Sequence, residues 1–484
     1  MGIDVEVVER CEISPPPPST QELEEREVGL SMMDVPWLFF SPTQPLFFYA
    51  YPHSLSHFTS TALPLLKLSL SRSLLHSFPL SARLRLHPRP PLLLLCSSHT
   101  VSLTVAAAAD DEDVFRRLST HHPRDAALFH PLVPSLPPIS NSSSSPPVPL
   151  FAAQVTVFPN SGLCLGLACH HVVADARTLN LFLKAWASLS RQLSSPAPHP
   201  SLRGFFSAPP CYDRTVLRDP RGLLPRFLFE WWSCECQAPS SPVNGAGFPH
   251  MVRSTFVVGT TEMDSIRKWI FSRCSSGNLS HPPHLSPYVL TCAFLWVVCV
   301  KAHLSLQAHN NPKPTTHRGP VYFGFIAGGL TRLGYPVPAS YFGNCVGFGR
   351  AEATVHELVG ENGIVVAANA LGSTVKRLDK DLFADAERWI SDWRAFSESE
   401  LHVTVAGSPK VDLYDMDFGW GRPMQIEDIS IDKSKAISLH ESRDVKGGIE
   451  VGIVLPKATM DAFASLFKAG LKVMKQTTLP NPNS

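Results

Sequence analysis

Residues 152–158 alternate between apolar and polar positions in the manner of a strand, and Pro159-Asn160-Ser161-Gly162 supplies a turn. The return run carries Leu163, Leu165, Leu167 and Cys169 on one face. The same parity puts His171 on that face and His170 on the other. The period then changes, with Leu179, Phe182, Leu183 and Trp186 recurring at helical spacing, so a helix is predicted to start at Asp175. A histidine at a strand end, in the loop before a helix, can reach a cleft while rigid elements hold it. His170, pointing the other way, is assigned to the core or to the surroundings of the site. Asp175 has two readings, as the N-cap of the following helix or as a direct partner in catalysis. Four residues from His171 it does not make a protease-type relay, and the structural role is preferred.

The rest of the chain alternates strand-like and helix-like segments. Residues 252–258, 321–326, 401–405 and 449–455 read as strands. An amphipathic helix starts at residues 261–264 with Thr261 as its candidate cap. Residues 289–303 are apolar almost all round, which predicts a buried helix, and they are short for a membrane span. Residues 458–474 form a closing helix. The architecture is therefore α/β or α+β, without a solenoid repeat. Pro- and Ser-rich patches mark loops at residues 15–18, 142–147 and 192–208. Residues 209–249, with Trp231 and Trp232, read as a crossover between two domains. The apolar stretch 35–51 is broken by Pro36, Pro42 and Pro45 and is no clean membrane helix.

Composition narrows the class. The chain has 484 residues, enough for two or three domains. Only 17% are charged, below the roughly 25% of average globular chains, so a large interior is expected. A net charge of +1 without a basic stripe argues against nucleic-acid binding. Eleven cysteines lie scattered in apolar runs, as at Cys164, Cys292 and Cys299, which reads as free thiols in a reducing compartment. Cys234 and Cys236 lack a second pair, so no zinc is expected. Residues 1–14 are acidic without a signal-type apolar core, and Glu6 occupies the place where a myristoylation signal needs serine or threonine. A soluble cytoplasmic protein, with no membrane or nucleic-acid partner, is the expectation.

The His-x-x-x-Asp pattern alone is weak, since about one match is expected by chance with 20 histidines. His121 with Asp125 spans Pro123 and reads as an exposed loop. His440 with Asp444 precedes Gly447-Gly448 and reads as a solvated hairpin end. Only His171 with Asp175 has the strand–turn–helix setting. A lone histidine base suits deprotonation of a hydroxyl or amine. No G-x-S-x-G elbow, metal-type cluster or Gly-rich phosphate loop is present. Direct acyl transfer to an acceptor hydroxyl fits better than covalent, redox or phosphoryl-transfer chemistry.

Three segments carry a resemblance. Asp417-Phe418-Gly419-Trp420-Gly421 resembles the DFGWG signature of the plant BAHD acyltransferases, and His171 to Asp175 resembles their HxxxD motif. Tyr341-Phe342-Gly343-Asn344-Cys345 is similar to the YFGNC motif of the anthocyanin and flavonoid-glycoside branch. Asp34-Val35-Pro36-Trp37 and much of the C-terminal half continue the similarity over nearly the whole chain. The resemblance implies two chloramphenicol-acetyltransferase-like α/β domains with a channel at their interface. They are expected as an N-terminal domain 1–205 with HxxxD, a crossover 206–250, and a C-terminal domain 251–484 with YFGNC and DFGWG. It implies that His171 deprotonates an acceptor hydroxyl, which attacks the thioester of an acyl-CoA. Asp175 then supports His171, and Asp417, Phe418, Gly419, Trp420 and Gly421 form a structural loop.

Ser408 is the candidate oxyanion donor, with a turn serine before Pro409 as the other reading. Arg253, Ser254 and Thr255 are candidates for binding CoA. No metal and no bound cofactor are implied. The acyl donor is expected to be malonyl-CoA and the acceptor a phenolic or flavonoid glucoside, acted on by a monomer. A hydroxycinnamoyl-CoA transferase of the same fold and a non-catalytic scaffold are the alternatives. Two departures bear on activity. Ala176 stands where the family usually has glycine. Of two family arginines, one of which pairs with the motif aspartate, Leu330 replaces the first and Arg332 retains the second. Arg177 has two readings, as partner of a malonyl carboxylate or as a solvent-facing arginine.

Overall fold

The computed structural model describes residues 3–16, 26–87, 90–95, 99–109, 112–140, 142, 145–195, 208–233, 250–310, 319–398 and 401–477. Pro17, Pro18, Ser143, Ser144, residues 196–207, Cys234 and Cys236 lie outside the described residues. The eight described cysteines are all free.

The chain forms two compact units. The first comprises Met1–Ala246, Tyr335–Val346 and Val411–Lys433, and the second Gly247–Gly334, Gly347–Lys410 and Ser434–Ser484. The units thus differ from the contiguous domains expected from sequence. The segments carrying YFGNC and DFGWG belong to the first unit, although each is flanked in sequence by parts of the second.

In the first unit, a sheet runs in the order Val5–Ile13, Val101–Ala108, Phe151–Phe158, Gly162–Cys169, Pro45–Ala50, Gln425–Asp428. The hairpin anticipated from the 152–169 pattern is at its centre, with Leu163 opposite Val157 and Leu167 opposite Ala153. Both of its strands are buried at every residue, so the alternation there does not separate core from solvent. Interior strands of a sheet covered on both faces read as apolar runs. The next element is the helix Ala176–Leu193, which buries Phe182, Leu183 and Trp186.

Part of the expected crossover is folded into this unit. The helix Leu223–Ser233 buries Leu223, Phe227 and Trp231, four residues apart, and the Trp231 indole N–H donates to the Val35 carbonyl at 2.9 Å. Of the aromatic pair there, Trp231 lies on the buried face of a short helix and Trp232 is half-buried beside it.

In the second unit the strand order is Val346–Thr354, Pro320–Gly328, Val403–Gly407, Ile437–Glu441, Ile449–Pro456, Met251–Val258. The helix Thr260–Gly277 starts after Gly259 and has no side-chain cap, so Thr261 is not its cap. The helix Pro287–Asn310 is longer than the pattern predicts, because residues 304–310 continue it past the apolar run. By length and composition Pro287–Leu306 is apolar enough to cross a membrane, and 67% of that window is buried in the protein. His440 corrects the sequence reading. It sits in the strand Ile437–Glu441 opposite Glu450 and is buried, while Asp444 beyond it is exposed.

Candidate active site

His171 lies in the turn that joins the strand Gly162–Cys169 to the helix Ala176–Leu193. Its ring stacks on Trp37, with centroids 3.9 Å apart and planes 20° from parallel. Nδ1 is enclosed and has no partner at full hydrogen-bond geometry. Burial lowers the pKa of this histidine below its ordinary 6.5, opposed by the Asp175 charge, its own carbonyl, the Asn344 amide and the Asp34 charge. Burial thus favours the neutral ring, the form a base requires. His170 is buried, and its Nε2 lies 3.1 Å from the Pro137 carbonyl. Burial pushes it down to about 4, so it is a neutral core histidine.

Asp175 caps the helix, as the structural reading expects. Its Oδ1 accepts from the Thr178 N–H at 2.8 Å, and its Oδ2 accepts from the Cys345 N–H at 3.0 Å. It therefore holds the helix start and the YFGNC segment together. Ala176 is the first helical residue and is not among those with positive φ, so alanine is accommodated without strain.

The same helix turn grips that segment at further points. The Thr178 hydroxyl donates to the Gly343 carbonyl at 2.9 Å. Arg177 donates to the carbonyls of Ala339 at 3.0 Å and Tyr341 at 2.5 Å. Its guanidinium thus faces main-chain oxygens and is not simply solvent-facing. Arg332, in the second unit, pairs with Asp379 at 2.9 Å and donates to the Gly328 carbonyl. The Asp175 carboxylate accepts from neutral backbone N–H groups.

Four residues that sequence reasoning did not place at the site complete it. Asp34 and Asn344 are fully buried. Asp34 Oδ1 accepts from the Asn344 main-chain N–H at 3.1 Å and from its side-chain Nδ2 at 2.9 Å. Asp34 Oδ2 accepts from the Ser31 N–H and hydroxyl, and pairs with Arg214 at 3.1 Å. Arg214 also donates to the Phe342 carbonyl and lies over the Tyr341 ring. A side chain at Gly343 would meet that guanidinium at 2.7 Å, which requires glycine there. Trp37 is the fourth. Asp34 and Trp37 stand in one short motif and Asn344 in another, so the motifs were legible, but nothing local tied them to His171. Arg214 lies in the presumed crossover, where no signal marked it.

The DFGWG loop packs on the other end of the motif helix. Asp417 Oδ1 accepts from the N–H groups of Gly419 and Gly421 at 2.8 and 2.9 Å. Both glycines have positive φ, 99° and 84°. The Ser190 hydroxyl donates to the Phe418 carbonyl at 2.9 Å, and the buried Phe418 ring meets Trp186 edge-on. Trp420 packs against Tyr49, Tyr51, Phe58 and Phe418.

The remaining candidates lie in the second unit. Ser408 follows the strand Val403–Gly407, and its Oγ accepts from the Lys410 N–H at 3.3 Å. Arg253, Ser254 and Thr255 are buried within the strand Met251–Val258. Among the described residues no cluster of histidine, cysteine and carboxylate groups could hold a metal.

A model described as the Transferase family matches residues 3–469. A coumaroyl-CoA:anthocyanidin 3-O-glucoside-6''-O-coumaroyltransferase of Arabidopsis thaliana is 34% identical over 472 residues, covering 96% of this chain and 97% of that one. A malonyl-coenzyme A:anthocyanin 3-O-glucoside-6''-O-malonyltransferase of Dahlia pinnata is 33% identical, with 96% and 97% covered. Phenolic glucoside malonyltransferase 2 of Arabidopsis thaliana is 32% identical, with 92% and 94% covered. The crystal structure of vinorine synthase shares the fold with a TM-score of 0.64 at 18% identity, covering 96% of this chain and 98% of its own. TRI101 of F. sporotrichioides, complexed with coenzyme A and T-2, gives 0.63 at 15% identity, with 90% and 96% covered. The chain belongs to the Transferase family, the BAHD acyltransferases.

Proposed function

We propose that this acyltransferase moves an acyl group from a CoA thioester to a sugar hydroxyl of a phenolic or flavonoid glucoside, with His171 as general base. The observation that carries the reading is the enclosed imidazole of His171, held at a strand–helix turn and stacked on Trp37. The acceptor O–H gives its proton to His171 Nε2 as the oxygen attacks the thioester carbon. The carbonyl π pair moves to oxygen and forms a tetrahedral oxyanion. Its collapse breaks the C–S bond, and the leaving thiolate takes the proton back from the imidazolium as free CoA. The base is then regenerated without any covalent intermediate.

Ser408 is proposed as the oxyanion donor. Its oxygen accepts from the Lys410 N–H, which leaves the hydroxyl proton available to donate. Arg253, Ser254 and Thr255 are retained as the proposed CoA contacts on the family resemblance. The free thiols of the described cysteines support a reducing, cytoplasmic setting.

Malonyl-CoA is the proposed donor, supported by the malonyltransferases among the relatives. A second reading, hydroxycinnamoyl transfer, is favoured by Arg177. Its two terminal nitrogens already donate to main-chain carbonyls. Purified protein given a flavonoid 7-O-glucoside with malonyl-CoA and p-coumaroyl-CoA in parallel tests both by mass spectrometry. A malonylated product supports the first, a coumaroylated product the second. Absence of either with a panel of phenolic glucosides contradicts the glucoside acceptor.

A further inference from the structure

One turn of the first unit carries a pattern that acyl transfer does not use. The short helix Glu112–Leu118 ends on Arg116-Arg117-Leu118 and runs directly into Ser119. It holds the only Arg-Arg pair in the chain. Arginines also stand three residues before Ser194, Ser276, Ser391 and Ser397, but none of those has a second arginine beside it. Arg116 and Arg117 are exposed, and Ser119 is half-buried in the turn that follows. Arg116 pairs with Asp113 at 2.5 Å, with side chains 77% and 69% exposed. A surface pair of that kind is worth little and yields to another carboxylate. Two arginines just ahead of a serine hydroxyl suit a protein partner whose groove presents carboxylates to them. That is the substrate chemistry of a basophilic serine kinase.

The same turn is tied to the interior of the unit. The Leu118 carbonyl, on the same peptide as the Ser119 N–H, accepts from Arg124 Nη1 at 2.7 Å. Arg124 Nη2 pairs with Glu427 at 2.7 Å, with side chains 5% and 1% exposed. Arg124 Nε is enclosed with no partner at full hydrogen-bond geometry, so the guanidinium keeps a donor in reserve. Glu427 belongs to the strand Gln425–Asp428, which follows the DFGWG loop. A phosphate on Ser119 would stand at a helix C-terminus, where negative charge is unfavourable, and would take a nearby cation as its partner.

We propose that Ser119 is a phosphorylation site read by a basophilic serine kinase, and that its phosphate draws Arg124 away from the buried Glu427. ATP supplies the phosphoryl group. The bond from the γ-phosphorus to the bridging oxygen of ADP breaks, a bond to Ser119 Oγ forms, and the hydroxyl proton passes to the catalytic carboxylate of the kinase. The product carries roughly −1.5 to −2 charges at neutral pH. One guanidinium does not neutralise that group and Glu427 together. Weakening a buried pair from one side is destabilising, because the carboxylate left behind stays out of water. The modification thus loosens the strand that follows the DFGWG loop, whatever the acyl donor.

The test uses the full-length folded protein with magnesium ATP and the catalytic subunit of cyclic-AMP-dependent protein kinase as the probe kinase. Mass spectrometry reads the site. Phosphate is expected on Ser119 and is lost in Ser119→Ala. With Arg116 and Arg117 both changed to alanine, kcat/KM of the kinase should fall about 10-fold or more, as charge-assisted bonds to it are removed. Phosphorylated protein is expected to have a lower urea midpoint at an unchanged m-value. In Glu427→Gln there is no buried charge to strand, so phosphorylation should move the midpoint less.

A folded protein that takes no phosphate on Ser119, or takes it only on Ser194, Ser276, Ser391 or Ser397, overturns the site. A midpoint that stays or rises on phosphorylation overturns the link to Arg124, and so does an equal fall in Glu427→Gln. If Glu427→Gln does not fold, the direction of the wild-type shift decides alone.

Discussion

Arg177 shows at the scale of one residue how local context overrules type. An arginine near a candidate catalytic histidine suggests anion binding, yet two of its nitrogens donate to two carbonyls of the 339–341 segment. Hydrogen bonds from a charged donor contribute about 1.5–3 kcal/mol each, so Arg177→Ala is expected to lower stability by roughly 2 kcal/mol. It should lower kcat with malonyl-CoA and p-coumaroyl-CoA alike. A selective rise in the malonyl-CoA KM would instead return the residue to donor recognition.

His170 makes a prediction about pH. Its folded pKa of about 4 lies below the ordinary 6.5, so the unfolded chain binds the extra proton first as pH falls. Stability associated with this group is therefore complete above pH 6.5 and is lost progressively down to about 4. The loss amounts to on the order of 3 kcal/mol. Urea midpoints of wild type and His170→Gln between pH 7.5 and about 4 check it. The wild type should fall more steeply, and parallel curves would contradict the assignment.

At the scale of elements, the helix Ala176–Leu193 organises the site. Its first turn clasps the YFGNC segment through Asp175, Arg177 and Thr178. Its later turns carry Trp186 and Ser190, which hold the DFGWG loop. That loop depends on two left-handed glycines bonded to one carboxylate. Gly421→Ala, at a position with open space around the missing Cβ, isolates the backbone effect. It is expected to cost about 1–2 kcal/mol, read as a lower urea midpoint at an unchanged m-value. A neutral result would show that the loop relaxes freely.

Much of this element was legible in the sequence. Residues 152–186 read correctly as strand, turn, strand and capped helix, because hydrophobic period and cap chemistry are local, while the loop expected from residue 192 begins only after the helix ends at Leu193. Thr261 failed as a cap because the chain enters that helix two residues earlier, at Gly259. His440 was misjudged because its burial is decided by the strands beside it, not by its charged neighbours. Asp34, Arg214 and Asn344 lie up to 310 positions apart, and no local pattern can reveal such a meeting.

At the scale of the molecule, the first unit is built from three stretches of chain. A fragment of residues 1–246 would keep Asp34, His171 and Asp175 but lose Asn344, Cys345 and the DFGWG loop. The buried Asp34 would keep Arg214 and lose its asparagine, and the motif helix would lose both of its clasps. Such a fragment is expected to lack a cooperative thermal transition. A sharp transition near that of the full chain would contradict this dependence.

Conversion of a phenolic glucoside by wild-type protein and by His171→Ala, followed by mass spectrometry with each acyl-CoA, tests the central claim most directly. Circular dichroism would first establish that both proteins are folded. The account predicts an acylated glucoside from the wild type and a rate at least about 10²-fold lower from the variant. Equal product from a folded His171→Ala protein would contradict it.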